Sequence, residues 1–219
     1  LSRVAMHDLT ILVPVRGRPH HLAPLLGSIH DTVDTDVLFL VSSNDAPVIQ
    51  VLDTLEQQYL VSPPQRVGDY ACKINTGYRH CTTPLVFLGA TDLYFHPGWF
   101  ERATAKLTNG IGVVGTNDLG NTRTQTGHST HSLVTREYVE NYGTIDEPGK
   151  ILHEGYVHEF VDDELVMTAR KRKAYATDAI VEHLHPDWGK GEMDTSYRQQ
   201  KSRMRESVGL YHQRSRLWT

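Results

Sequence analysis

The sequence predicts a single-domain α/β fold in which a mixed, mostly parallel sheet is flanked by helices. Short apolar runs rich in β-branched residues alternate with segments whose apolar residues recur at helical spacing. Clusters of Gly, Pro, Asn and Asp separate these segments. A strand–helix–strand alternation with short links is typical of parallel sheets that are covered on both faces. The length of 219 residues is suitable for one such domain.

The strands of the first part of the chain are predicted from continuous apolar runs that stop at turn residues. The run "LTILVPV" stops at "RGRP", and the run "DVLFLVSS" stops at "NDAP". Two further runs of this kind are "PLVFLG" and "IGVVGTND". The predicted strands are therefore Leu9–Val15, Asp36–Ser43, Pro84–Gly89 and Ile111–Asp118.

Helices are predicted between these strands, because the intervening apolar residues are three or four positions apart. Proline favours the first turn of a helix and glycine its end, which fits Pro47 and Gly110. The predicted helices are Pro19–His30, Pro47 to about Tyr59, Gly68–Cys81 and His96–Gly110.

The second part of the chain is less regular. Residues 128–143 are predicted to form a strand and then a short helix, residues 158–174 a helix, and residues 174–186 a strand. Residues 189–219 carry an excess of Arg and Lys. We therefore predict a main domain over residues 1–188 and a basic helical tail over residues 189–219.

The charge, the apolar runs and the cysteines of the chain argue against several classes of protein. A net charge of -4 and a pI near 6.4 give no global basic field that would favour nucleic acid. No apolar run is long enough to span a bilayer, and the first residues lack the features of a signal peptide. Cys72 and Cys81 form no C-x-x-C motif, which favours a reduced, cytoplasmic setting. The lack of a long apolar run favours a chain without a membrane partner.

Polar residues follow several predicted strands, and ligands of open α/β sheets bind at the carboxyl ends of strands. Arg16 and Arg18 could pair with phosphate, or could be solvated turn residues. Asp45 could accept hydrogen bonds from a base or ribose, or could cap a helix. Lys73 could reach a diphosphate, or could be an exposed helix lysine. Neither a Walker-type loop nor a G-x-G-x-x-G turn is present, which disfavours a dinucleotide site and a nucleotidyltransferase.

Asp92 directly follows a run that is expected to be buried. A carboxylate in that position needs a cation or hydrogen bonds, so it either binds a divalent metal ion or caps the turn. His183 and His185 would share one face of an extended segment, where they could complete the coordination or be structural. His128 and His131 are a weaker pair, which we interpret as acceptor-loop or structural residues.

The acidic run "VDDEL" contains Asp162, Asp163 and Glu164 at the predicted start of a helix. Three acids at that position could simply interact with the helix dipole. A carboxylate facing a cleft could instead act as a general base toward an acceptor hydroxyl.

Five motifs then occur in the order found in a known family. They are "ILVPVRGRPHHLAPLLGSI", "VSSNDAP", "KINTGYRHCTTPLVFLGATDLYFHPGW", "VDDEL" and "EHLHP". Over roughly residues 9–188 the chain resembles glycosyltransferase family 2, the inverting nucleotide-sugar transferases of the GT-A fold. It most resembles the small members found in bacteriophages and bacteria.

The resemblance implies a site for a nucleotide-diphosphate sugar. Pro14, Val15 and Arg16 would border the base, Asp45 would hydrogen-bond it and Lys73 would approach the diphosphate. The implied donor-binding residues also include Arg18, Asn75 of the N-x-G helix and Asp92.

The resemblance also implies a metal ion and a catalytic base. Asp92 would hold Mn²⁺ or Mg²⁺, and either His183 or His185 would be the last ligand. The family pattern E-D-x-[DE]-L places Asp162 at the base aspartate, with Asp163 as the fallback.

The chain departs from the family pattern in its acidic motif. Gly89 and Thr91 stand where acids are common, so only Asp92 is kept, and Val161 breaks the later E-D pair. These departures favour an alternative function, that of a catalytically weak or inactive sugar-nucleotide-binding protein on the same fold.

The function predicted first is a metal-dependent inverting hexosyltransferase with a nucleotide-diphosphate sugar, expected to be UDP-linked, as donor. The acceptor hydroxyl would belong to a protein, a glycan or a modified DNA base, and the basic tail could serve that last class or form a homo-oligomer contact. The expected location is the cytoplasm of a bacterium or of a phage-infected host.

Overall fold

A computed structural model describes residues 8–120, 127–145 and 147–218 of the chain. Eight strands in these ranges form one sheet in the order β3-β2-β1-β4-β7-β6-β8-β5. The strands are β1 Leu9–Val15, β2 Asp36–Ser42, β3 Tyr59–Ser62, β4 Leu85–Leu88, β5 Leu93–Phe95, β6 Val113–Asn117, β7 Ser132–Thr135 and β8 Lys173–His183.

The sheet is mixed and mostly parallel. Strand β1 pairs in parallel with β2 and β4, β2 with β3, and β6 with β8. Strand β7 is antiparallel to both β4 and β6, and β5 is antiparallel to β8. The predicted fold class is therefore confirmed, and the carboxyl ends of the parallel strands meet along one edge.

Helices cover both faces, because the central strands are apolar on both sides. Ile11 and Val13 of β1 belong to one apolar cluster, and Leu12 belongs to the other. Helices α1, α2 and α4 contribute to the first cluster, and helices α3, α5 and α6 contribute to the second. These helices are α1 Leu22–His30, α2 Ala46–Thr54, α3 Asp69–His80, α4 Trp99–Thr104, α5 Arg136–Asn141 and α6 Val161–Ala169.

Two short strands were missed by the sequence-based expectations. The helix predicted from Pro47 ends at Thr54, since Glu56 adopts a left-handed conformation with φ of 52°, and edge strand β3 follows. Strand β5 has only three residues, and it is stabilised by pairing with the distant end of β8. The helix predicted over residues 158–174 is also shorter, because Lys173 already begins β8.

Helix α3 contacts the sheet through a glycine, Gly77. A Cβ atom at Gly77 would lie 2.9 Å from the side chain of Leu12 and 3.0 Å from that of Leu40. Since real Cβ atoms do not approach so closely, glycine permits this contact between α3 and β1–β2.

The last helix is α7 Thr195–Arg214, which contacts α6 and the segment before it. Arg214 of α7 forms buried hydrogen bonds with Glu164 of α6, and Ser207 accepts a hydrogen bond from the backbone N–H of Val157. Over the described ranges, every helix is too short or too polar to cross a bilayer.

Candidate active site

A cavity of about 540 Å³ lies at the carboxyl ends of the parallel strands. The end of β1 contributes Pro14 and Val15 to its wall, and the turn that follows contributes Arg16 and Arg18. The turn after β4, the start of α6 and the end of β8 contribute Asp92, Asp162, Asp163, His183 and His185. The first turns of α7 close one side, through residues that include Tyr197. The structure therefore brings most of the sequence-predicted site residues to one cavity.

Strand pairing holds Asp92 beside His183. In the antiparallel pair of β5 and β8, Leu93 lies opposite His183. The Leu184 N–H donates to the Asp92 carbonyl at 2.8 Å, which fixes the turn that follows β4. As a result, His183 Nε2 lies 3.5 Å from Asp92 Oδ1. A carboxylate oxygen is a common ligand of divalent manganese, and a neutral imidazole is a common ligand of metal ions in proteins.

The other oxygen of Asp92 is occupied by two donors from within the chain. Arg18 Nη1 donates to Asp92 Oδ2 at 2.8 Å, and the Tyr197 hydroxyl donates to the same oxygen. Burial alone would raise the pKa of Asp92, which is 5% exposed. Hydrogen bonding and charge from His183, together with Tyr197 and Arg18, instead hold the pKa of this carboxyl well below its usual range.

Arg18 is fixed by its own turn and by α7. Gly17 and Arg18 both adopt left-handed conformations, with φ of 66° and 60°. Asp194, which caps α7, accepts two hydrogen bonds from the Arg18 guanidinium, one of them at 3.1 Å. The guanidinium also lies 4.2 Å from the centre of the Tyr197 ring. Three distant chain segments thus converge on Asp92.

Two buried imidazoles extend the Asp92 site. His131 Nδ1 lies 2.8 Å from the Leu88 carbonyl, and the ring centroids of His131 and His183 are 5.1 Å apart. Burial and the neighbouring His183 lower the pKa of His131 to about 4, so this ring is neutral near pH 7. Within the described ranges, His183 Nδ1 is buried and has no hydrogen-bond partner. The ligand atoms that Asp92 and His183 offer to a divalent cation are Asp92 Oδ1 and His183 Nε2, which face each other.

A second group of possible ligands lies at the start of α6. His128 Nε2 lies 3.3 Å from Asp162 Oδ2, and His128 Nδ1 lies 3.5 Å from Asp163 Oδ1. One ligand atom from each of these residues lies within 4.8 Å of the others. Burial alone would raise the pKa of Asp162, but His128 and the backbone N–H groups at the helix start hold it below its usual value. These three residues could hold a cation, or His128 could orient the two carboxylates.

Three of the expected donor-binding residues do not line the cavity. Asp45 accepts a hydrogen bond from the Gly17 N–H and so joins the turns after β1 and β2. Lys73 is 3% exposed, donating to the Val15 carbonyl at 2.8 Å and to Asp69 at 2.9 Å. Both residues therefore support the wall of the cavity rather than form its surface.

Asn75 is fully buried and connects α3 with the loop that precedes α6. Its amide group donates to the Leu152 carbonyl at 2.8 Å and to Glu154 at 2.9 Å, and its side-chain oxygen accepts from the backbone N–H groups of Ile151 and Leu152. The contacts of this residue are those of a structural amide.

Gly89 stands where the resembling family commonly has an acid, and the structure gives a steric reason for the glycine. A Cβ atom at Gly89 would lie 2.9 Å from the carbonyl oxygen of Leu12 on the neighbouring strand. That oxygen already accepts a hydrogen bond from the Gly89 N–H at 2.8 Å, so the two strands cannot separate freely. Thr91 lies on the wall of the cavity.

The structure adds residues to the site that the sequence did not indicate. Tyr70 donates to the Gly89 carbonyl at 3.2 Å and packs edge-on against His158, and both line the cavity. Asp194 and Tyr197 were missed because they belong to the basic tail, where only the N-cap pattern "DTSY" gave a local signal.

Comparisons with known proteins define the class of fold. No family model and no curated protein matches the chain. Among solved structures, it is similar to the mannosyltransferase PcManGT from Pyrobaculum calidifontis in complex with GDP-Man and Mn²⁺, with 16% identity and a TM-score of 0.63. That alignment covers 94% of this chain and 64% of the mannosyltransferase.

The chain is also similar to glucosyl-3-phosphoglycerate synthase from Mycobacterium tuberculosis. A complex with Mn²⁺, UDP and phosphoglyceric acid aligns with 13% identity and a TM-score of 0.67, over 96% of this chain and 78% of that one. A complex with Mn²⁺, UDP-Glc and phosphoglyceric acid gives 14% identity, a TM-score of 0.64 and coverage of 96% and 79%. The chain therefore has the fold of GT-A glycosyltransferases.

Proposed function

We propose that this chain is a metal-dependent glycosyltransferase that moves a sugar from a nucleotide-diphosphate donor to an acceptor hydroxyl with inversion. The observation that carries the proposal is the meeting of Asp92, His183 and Asp162 on one cavity at the carboxyl ends of the strands. Similar folds that were solved with GDP-Man or UDP-Glc and with Mn²⁺ support it. The transferred sugar is expected to be a hexose and the nucleotide to be UDP.

The donor would lie along the turn after β1. Arg16 is exposed on the wall of the cavity, so its guanidinium group is available to pair with phosphate oxygens. Arg18 lies on the same wall, but its guanidinium would first have to leave Asp92 and Asp194. Asp92 and His183 would hold Mn²⁺ or Mg²⁺, which would supply positive charge for the leaving diphosphate. His185 also lines the cavity, beside His183, and is the alternative ligand.

Asp162 would serve as the general base. Its lowered pKa keeps the carboxylate ionised near pH 7, in the form that can accept the proton of an acceptor hydroxyl. The hydroxyl oxygen would then bond to the anomeric carbon as the bond to the diphosphate breaks. His128, at 3.3 Å, restricts the orientation of Asp162, and Asp163 is the second candidate base.

A donor screen tests the proposal. UDP- and GDP-sugars are added with Mn²⁺, and both the thermal midpoint and the release of nucleotide diphosphate are measured. A true donor raises the midpoint in a concentration-dependent way, because it binds only the folded chain. Failure of every nucleotide sugar to stabilise the chain, with no nucleotide released, would reject the proposal.

A second candidate function is sugar-nucleotide binding without transfer. The observation that favours it is the engagement of Asp92 by Arg18 and Tyr197, in a motif that lacks acids at Gly89 and Thr91. Calorimetry with UDP, with and without Mn²⁺, separates the two functions. Metal-independent binding without turnover would favour the second.

A further inference from the structure

The carboxylate of Asp92 already has a cation as its partner. Arg18 contacts it at 2.8 Å, and the Arg18 and Asp92 side chains are only 10% and 7% exposed, so water screens the pair weakly. The Tyr197 hydroxyl donates to the oxygen that Arg18 contacts, which leaves His183 beside the other oxygen. A divalent ion held by Asp92 Oδ1 and His183 would therefore share this carboxylate with a hydroxyl and with a guanidinium whose charge repels it.

The competing contacts are held in place by the first turn of α7. Asp194 caps the helix by accepting from the Tyr197 N–H at 2.9 Å, and the same carboxylate binds the Arg18 guanidinium. The Tyr197 ring lies under that guanidinium and edge-on to His185, at 4.2 and 4.7 Å. Any movement of Arg18 away from Asp92 is therefore coupled to the contacts that fix the start of α7.

We propose that Arg18 and Tyr197 form a latch that lowers the metal affinity of Asp92 until Arg18 moves to another anion. The inference rests on the proposed role of Asp92 as a metal ligand. When a divalent ion takes the carboxylate, Arg18 is repelled by the ion and exchanges Asp92 for the diphosphate of the donor. The donor thus favours metal binding, because it accepts the guanidinium that the metal displaces. The first turn of α7 loosens at the same time.

The test measures binding of Mn²⁺ alone, so it requires neither a donor nor turnover. Removing the hydroxyl in Tyr197→Phe keeps the ring that packs on Arg18 and His185 but removes one hydrogen bond to a charged oxygen. The variant is expected to bind Mn²⁺ about ten- to a hundredfold more tightly than the original chain, as followed by the electron paramagnetic resonance signal of free Mn²⁺. Asp92→Asn in the same background should abolish the gain.

The matched control is Tyr211→Phe, which makes the same chemical change on the same helix. Tyr211 packs on Phe160 and Trp218, and at a rise of about 1.5 Å per residue it lies roughly 20 Å along α7 from Tyr197. The Tyr211→Phe variant should bind Mn²⁺ with the same affinity as the original chain. Thermal unfolding of each variant checks that the fold is retained.

A second measurement does not depend on a substitution. Saturating Mn²⁺ with UDP should speed hydrogen exchange at the amides of residues 195–200, whereas the remainder of α7 keeps its protection. Unchanged or weaker Mn²⁺ binding in Tyr197→Phe, or no binding in either protein, would overturn the latch. If Tyr197→Phe binds Mn²⁺ more tightly but the original chain transfers no sugar, the latch would be upheld and the proposed function rejected.

Discussion

The guanidinium of Arg214 and the carboxylate of Glu164 form a two-point ion pair that joins α7 to α6. The Nη2–Oε1 and Nε–Oε2 distances are 2.6 and 2.7 Å, and the Arg214 and Glu164 side chains are 9% and 1% exposed. The Tyr156 hydroxyl donates to the same carboxylate at 2.8 Å. A buried carboxylate that lost its cation would remain poorly compensated.

Arg214→Ala is therefore expected to lower the free energy of unfolding by about 3–5 kcal/mol. Urea denaturation followed by circular dichroism measures the change. The control is Arg203→Ala on the same helix, which breaks a more accessible pair with Glu206 and a hydrogen bond to the Arg66 carbonyl, and should cost much less. Equal losses in the two variants would contradict a dominant role for the buried pair.

Asp162→Asn should separate donor binding from transfer. The amide cannot accept the acceptor proton, so kcat is expected to fall by about 10²–10⁴-fold while the donor dissociation constant changes little. Steady-state kinetics and calorimetry measure the two quantities. Asp163→Asn makes the same change at the adjacent residue and should leave more activity, and a reversed ranking would assign the base to Asp163.

Two candidate cation sites line the cavity, and paired variants distinguish them. If the ion binds at Asp92 and His183, Asp92→Asn should weaken Mn²⁺ binding by at least about 100-fold, whereas His128→Ala should leave it within a few-fold. Equilibrium dialysis with Mn²⁺ measures both. A large loss in His128→Ala with little change in Asp92→Asn would move the metal to the start of α6.

Gly89→Ala should destabilise the chain by about 1–3 kcal/mol, because the added Cβ would press on the carbonyl of Leu12. Thermal unfolding measures the loss. Gly27→Ala in α1 is the matched control, since a Cβ there meets nothing within 4 Å and alanine favours a helix. It should be neutral or stabilising. Equal stabilities for the two variants would mean that β1 and β4 can separate at Gly89 without a loss of stability.

The Cys72 thiol is expected to be unreactive at mildly alkaline pH. Burial, with the carboxylate of Glu154 nearby, raises the pKa of this thiol to about 11, and only the thiolate reacts. In a Cys81→Ser variant, the rate of modification by a disulfide reagent should still rise between pH 9 and about 10, without a plateau. The unfolded variant is the control and should plateau near its ordinary pKa of about 8.5. A plateau near pH 9 in the folded chain would contradict the shift.

The raised pKa of Cys72 also makes the stability of the fold depend on pH. Between about pH 8.5 and 11 the folded chain binds more protons at Cys72 than the unfolded chain does. This group therefore stabilises the fold below that window, and its contribution is lost as the pH rises through it.

Much of the fold could be predicted from the sequence, because long apolar runs and helical spacing are local signals. Strands β3 and β5 could not, since three or four residues carry no period and their partners decide their conformation. Asp92 was identified from its position after a buried run. Its partner Tyr197 lies 105 residues away, and no local pattern relates the two.

Residues of the resembling motifs divide into two kinds in the structure. Asp92, Asp162 and His183 line the cavity, whereas Lys73 and Asn75 are held by contacts within the fold. A sequence motif therefore contains both residues that hold the fold together and residues that line the site.

The pair of Asn75 and Gly77 in α3 illustrates the practical consequence. Asn75 joins α3 to the loop that precedes α6, and Gly77 permits the close contact between α3 and the sheet. A match to the N-x-G motif alone would therefore indicate a shared spacing between helix and sheet, and would not indicate a shared ligand. Such a match would indicate the architecture, and the proposed reaction would depend on further residues, Asp92, Asp162 and His183.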